Sequence, residues 1–200
     1  MINPDFVFLA MALSVFGGYG YIRDTLRGET SPNRVTWTLW GIEGVLTFGV
    51  EVQQRVGLAA WMTLMLGLVP VAVVVASFRN SHAVWRIGPF DIICGSFSVV
   101  GLILWALVRE PTVALVLFVG ADQLAALPTV RKSWLVPSSE TPRAFAMGCV
   151  NCVITVLTLK HWTTAGVLFP GCIAVTDFCL TILIVARIGP RVRGELSAAS

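Results

Sequence analysis

Apolar positions in this chain come in long continuous blocks separated by short polar segments, without the alternation of a half-buried strand. The blocks run from about Pro4 to Ile22, Arg34 to Val52, Val56 to Phe78, Asp91 to Val108, Pro111 to about Thr129, Arg143 to Leu159 and Thr163 to Ala186. As α-helices of roughly 17 to 25 residues, each reaches across a hydrocarbon core about 30 Å thick. The pattern therefore predicts an all-α integral membrane protein with seven transmembrane helices. Between the blocks lie the loop RDTLRGETSPN, a very short turn joining helices two and three, and a polar segment with Arg79, His82 and Arg86. A basic, proline-rich loop follows Pro128, and the last segment, RIGPRVRGELSAAS, is expected to be disordered. Pro111 suits the first turn of helix five, whereas Pro128 predicts that this helix breaks there.

Composition removes the alternative of a soluble core. Of 200 residues 56% are hydrophobic and 12% charged, with mean hydropathy +0.82, against roughly a quarter charged in soluble domains. MINPDF carries no Lys or Arg, so the first block lacks the basic region of a cleavable signal peptide and reads as the first helix. The basic residues then orient the chain, because cytoplasmic loops collect Lys and Arg. With the N-terminus outside, inner segments hold Arg23, Arg27, Arg34, Arg79, Arg86, Arg131, Lys132, Arg143, Arg187, Arg191 and Arg193. Outer segments hold only Arg55, Arg109 and Lys160, and together these are all 14. A bias that alternates at every loop predicts seven helices, N-out and C-in, in a bacterial-type plasma membrane. The net charge of +3 comes from these inner loops and calls for no nucleic-acid partner.

An internal repeat divides the chain. An offset of 108 residues, the separation of Arg23 from Arg131, also sets Gly20 on Pro128 and Ser14 on Asp122. After a loop two residues longer, Pro32 falls on Pro142. Glu29-Thr30 resembles Glu140-Thr141 if Ser31 is left unmatched. Each unit is one hinged helix, one basic loop and two further helices. Four crossings separate helices one and five, an even number, so the two units are parallel repeats with helix four as linker. The expected division is 1–78, a linker over 79–110, 111–187 and a tail over 188–200.

Polar residues inside the apolar blocks are the candidate chemistry. Glu43, Asp122 and Asp177 lie near the middle of helices two, five and seven, with Gln123 and Asn151 at similar depth and no intramembrane Lys or Arg beside them. A mid-helix acid costs roughly 2.5 to 3.5 kcal/mol to insert, so these must face the bundle interior, either as packing glue or as a polar site open to proton linkage. Trp37 and Trp40, at i and i+3, share the helix-two face that continues to Glu43 and Gly44, an aromatic surface suited to a sugar or a cation. Trp61, Trp85, Trp105, Trp134 and Trp162 fall near helix ends, as interfacial anchors do. Gly20 and Pro128 weaken equivalent places in the two units, and Pro32 and Pro142 open the following helices, so all four are candidate hinges. The cysteines all lie in apolar blocks, and the CxxC spacing of Cys149 and Cys152 lacks converging partners for a metal. His82 and His161 fall in loops on opposite sides. With no phosphate loop, no GxSxG and no lysine in the last helix, nothing points to an enzyme or a cofactor.

The 3-1-3 layout, the N-out orientation and the proline before a basic loop resemble the SWEET, SemiSWEET and PQ-loop superfamily of small-solute carriers. Pro128-Thr129 stands where that family has its Pro-Gln pair, and Pro32 and Pro142 stand where it opens its second and sixth helices with proline. Gly20-Tyr21 replaces the first hinge proline, and helices three and seven lack the asparagines that flank the sugar in SWEETs. The resemblance implies alternating-access transport of a small polar solute, with Trp37 or Trp40 as the stacking tryptophan and a homo-oligomer as a possible assembly. A receptor of the same fold that binds a peptide or protein without transport is the alternative.

Overall fold

The computed structural model describes residues 2–3, 5–53, 59–80, 85–159, 162 and 164–195. Eight helices occur among them: α1 Phe6–Arg27, α2 Arg34–Gln53, α3 Ala59–Arg79, α4 Pro89–Leu107, α5 Pro111–Leu135, α6 Pro142–Thr158, α7 Thr164–Val185 and the short α8 Ile188–Val192. A 3-10 turn, Pro137–Ser139, joins α5 to α6. The expected α2–α3 turn with Arg55, the loop position of His82, and Lys160 with His161 lie outside the described residues. By length and composition α1, α3, α4, α5 and α7 are apolar enough to cross a membrane, and α6 is a shorter apolar helix. These helices are consistent with an integral membrane protein.

The distribution of side chains on α4 shows the solvent it is built for. Its buried stripe is Asp91, Cys94, Gly95, Ser98 and Leu102, whereas Ile92, Ile93, Phe97, Val100, Ile103 and Leu107 are exposed. A helix with small and polar residues inward and large apolar ones outward inverts the pattern of a soluble protein and suits lipid. Phe16, Phe78, Val116 and Phe178 continue that exterior on other helices.

Packing follows a regular scheme. In the first half α3 contacts both α1 and α2; in the second, α7 contacts both α5 and α6. Across the halves α1 packs on α6 and α2 on α5, and α4 leans on α5 and α2. Small residues permit the closest approaches, as expected where lipid tails compete with side chains. Gly17 faces Met147 and Ala144 of α6, and Gly18 faces Val69 of α3. Gly20 approaches nothing within 4 Å, and α1 runs unbroken past it.

Three boundaries correct the sequence reading. Helix α1 continues five residues beyond Ile22, to Arg27, where Gly28 at φ 78° closes it. Pro128 does not end α5, which continues to Leu135. Proline frees the Leu124 carbonyl, but membrane helices tolerate this where surrounding structure holds the chain, and the turn after Pro128 is anchored by the fully buried Lys132. The segment after Ala186 is ordered through residue 195: α8 brings Arg193 to donate to the carbonyls of Trp134 and Leu135 at 3.0 Å. Those carbonyls lack helical partners at the end of α5, and a cation satisfies both their hydrogen bonds and the helix dipole.

Candidate functional site

A cavity of about 100 Å³ lies between the two halves. Its wall is contributed by α1, α2, α3, α5, α6 and α7, and includes Glu43, Asp122 and Asp177. Trp37, Trp40 and Gly44 join Glu43 on the α2 side, as the i, i+3, i+7 spacing on one helix face requires. The α4 helix contributes no lining residue but reaches the site indirectly, through a long hydrogen bond from Ser98 Oγ to Glu43 Oε1 at 3.4 Å.

Asp122 is the central acid. Its carboxyl interacts electrostatically with both Glu43 and Asp177. Gln123 Nε2 donates to Asp122 Oδ2 at 2.9 Å, and Thr176 Oγ1 donates to Gln123 Oε1 at 2.6 Å, so α5 and α7 are joined behind the carboxylate. Glu43 is 1% exposed, and its Oε2 meets no N–H or hydroxyl donor among the described residues. Among the described residues neither Lys, Arg nor His lines the cavity. Like charges buried together repel, so the three acids are not all charged at once unless a counter-charge enters from outside the chain; protonation is the other way to relieve the repulsion.

Two of the sequence candidates stand back from the cavity. Gln123 orients Asp122 from behind, and Asn151 is buried between α6 and α1, donating to Ser14 Oγ at 3.2 Å. Ser14 itself lines the cavity, at the position the repeat aligns with Asp122. Sequence reasoning had that alignment but did not make Ser14 a candidate. It also missed Gly148, where a Cβ would collide with the Asp177 carboxylate. Gly148→Ala is therefore expected to lower stability by about 1–3 kcal/mol through overpacking, measured by thermal unfolding in detergent. Adding Asp177→Ala should recover most of that loss, because it removes the colliding group; a double variant no more stable than Gly148→Ala would contradict this contact.

No family model, curated protein or solved structure matches the chain. The site therefore stands on its own geometry.

Below the cavity, toward the loops rich in Arg and Lys, an aromatic layer and then a charged layer close the bundle. Trp37 packs on Tyr21 with ring centroids 4.4 Å apart and on Phe145 at 6.3 Å. Tyr21 OH donates to Glu140 Oε2 at 2.6 Å, and Glu140 Oε1 accepts from Lys132 Nζ at 2.7 Å. Lys132 also donates to the carbonyls of Ser31 and Ser139. Thr141 donates to Asp24 Oδ2 at 3.0 Å and shares a hydrogen bond of 2.6 Å with Thr30. Asn33 ties α2 to α4 through Asp91 Oδ1 at 2.9 Å, and Arg34 ties it to α3 through Ser77. The expectation that Lys132 belongs to the basic loop after Pro128 is thus corrected: it lies in α5 and is buried, with three acceptors converging on it. The one sequence signal for this layer was the likeness of Glu29-Thr30 to Glu140-Thr141, whose threonines meet.

Proposed function

We propose that the protein is an alternating-access carrier for a small polar solute, with seven membrane crossings, N-out and C-in, in a bacterial-type plasma membrane. In this reading α1–α3 and α5–α7 are parallel repeats and α4 is the linker. The single observation that carries it is the cavity, which gathers acids from three helices at the boundary between the halves, with no basic side chain in its lining among the described residues. The helix contacts support the repeat: renaming α1, α2 and α3 as α5, α6 and α7 turns the α1–α3, α2–α3 and α1–α6 contacts into α5–α7, α6–α7 and α5–α2, each of which occurs. The charged layer at the basic end then serves as the closed gate on that side, and α1 and α5, which bear Gly20 and Pro128, are the helices whose ends must separate to open it.

Uptake into proteoliposomes tests this. Radiolabelled glucose, an amino acid, a nucleobase and a small amine serve as probes. Asp122→Asn and Pro128→Ala are expected to reduce uptake of the transported probe about tenfold or more, a change of roughly 1.4 kcal/mol, while remaining folded. Wild-type rates in both variants would sink the proposal. Saturable binding of a probe with no flux would instead favour a receptor.

A further inference from the structure

We infer that the solute taken by this cavity is a small organic monocation without a carboxylate, an amine or guanidinium of about three to five non-hydrogen atoms. This rests on the carrier reading of the same cavity and narrows it to a chemical class.

Charge is the first argument. Glu43, Asp122 and Asp177 line the space from three helices, and among the described residues no basic side chain joins them. The buried cation among the described residues, Lys132, is already committed to Glu140, Ser31 and Ser139. A cation supplies the missing counter-charge, whereas the carboxylate of an anion or zwitterion would add to the repulsion. The second argument is unmet hydrogen bonding. Glu43 Oε2 is buried and meets no N–H or hydroxyl donor among the described residues; the Asp122 carboxyl lies within hydrogen-bonding range of Glu43, but two carboxylates cannot satisfy each other. A buried acceptor left without a donor is costly, so Glu43 marks a place where a ligand's N–H fits.

The rest of the lining selects an organic cation over an inorganic one. Trp40 stands one turn from Glu43, with its ring 5.4 Å from that of Trp37, and Phe145 and Phe169 add further aromatic surface. Aromatic faces attract ammonium and guanidinium groups. A hard metal ion needs about six oxygens at close range, and no group of three or more His, Cys, Asp or Glu residues is close enough to hold a metal among the described residues. Size argues against a sugar in this state: the volume of about 100 Å³ is below the roughly 150 Å³ cavity that accepts benzene.

The test is a titration of the purified protein in detergent with ethanolamine, ethylammonium and guanidinium, and in parallel with ethylene glycol, the free amino acid glycine, glucose and sodium chloride. Ionic strength is matched throughout, and thermal unfolding and calorimetry are both followed. The organic cations are expected to raise the unfolding temperature saturably. Ethylene glycol, which matches ethanolamine in size but has no charge, and glycine, which adds the carboxylate, are expected to bind at least tenfold more weakly. Glu43→Gln and Asp122→Asn should unfold without ligand at the wild-type temperature or above, and bind ethanolamine at least tenfold more weakly. Equal affinity for ethylene glycol and ethanolamine, an equal response to sodium, no response to any organic cation, or full binding by both variants each overturns the inference. Flux in proteoliposomes separates the two proposals. Cation binding without cation flux removes the carrier reading and keeps the site, while glucose flux without cation binding keeps the carrier and removes the cation.

Discussion

Replacing Lys132 with Met is expected to destabilise the protein by about 3–5 kcal/mol, the scale measured when one partner of a buried ion pair is removed. The Lys132 and Glu140 side chains are both fully buried, 2.7 Å apart. Without the ammonium, the Glu140 carboxylate keeps only the Tyr21 hydroxyl and the Ser31 carbonyl loses its donor, while the Ser31 N–H still donates to the Ser139 carbonyl at 3.0 Å. The companion double variant, Lys132→Met with Glu140→Gln, leaves no uncompensated charge and should regain most of the loss, since replacing both members of a buried pair is often close to neutral. Unfolding in detergent by heat or denaturant measures both. A single variant within about 1 kcal/mol of wild type would mean that water reaches the site and that the layer is no seal. The double variant keeps the packing while removing the ion pair between α5 and the segment that precedes α6.

Gly44→Ala is expected to have the next largest effect on stability, near the upper end of the about 1–3 kcal/mol typical of overpacking. At this crossing α2 and α3 touch backbone to backbone. A Cβ on Gly44 would meet the Gly67 backbone, and one on Gly67 would fall 2.8 Å from Val45 N and 2.9 Å from the Gly44 carbonyl carbon. Flexible side chains can move aside, but two helix backbones can only separate. Gly44 and Leu66 also line the cavity, so separation would widen the site as well as weaken the fold. Gly120→Ala is the control: that position meets nothing within 4 Å, and in a helix interior alanine gains up to about 1 kcal/mol over glycine. Equal unfolding temperatures for the Gly44 and Gly120 variants would show that the α2–α3 crossing has slack.

Most of the helices were legible because apolar blocks of spanning length are a direct consequence of lipid as solvent. Their starts were read to within about three residues, where a polar or proline residue interrupts the block. Their ends were read less well. At Arg27 and Leu135 the helices outlast the apolar composition, since Gly28 and the guanidinium of Arg193 cap them. Proline at 128 looked like a stop, because local rules count the hydrogen bond it removes but not the tertiary anchor at Lys132 one turn later. The tail at 188–195 looked featureless for the same reason: its contact with α5 joins residues 58 and 59 apart in sequence.

The sequence by itself determined the solvent of this protein and the cost of its buried acids. Long apolar blocks require lipid, and Glu43, Asp122 and Asp177 in the middle of them require an interior to face. Tertiary structure alone decided which interior. It gathered the three acids, Trp37 and Trp40 around one small cavity, moved Asn151 aside in favour of Ser14, and opened room for Asp177 at Gly148. It also turned residues scattered over helix ends and loops, among them Tyr21, Asp24, Lys132 and Glu140, into a buried layer. The physical reason is that insertion cost is a property of each residue and its depth, and can be read locally. Convergence depends on which helix faces meet, and that is set by contacts between residues distant in the chain.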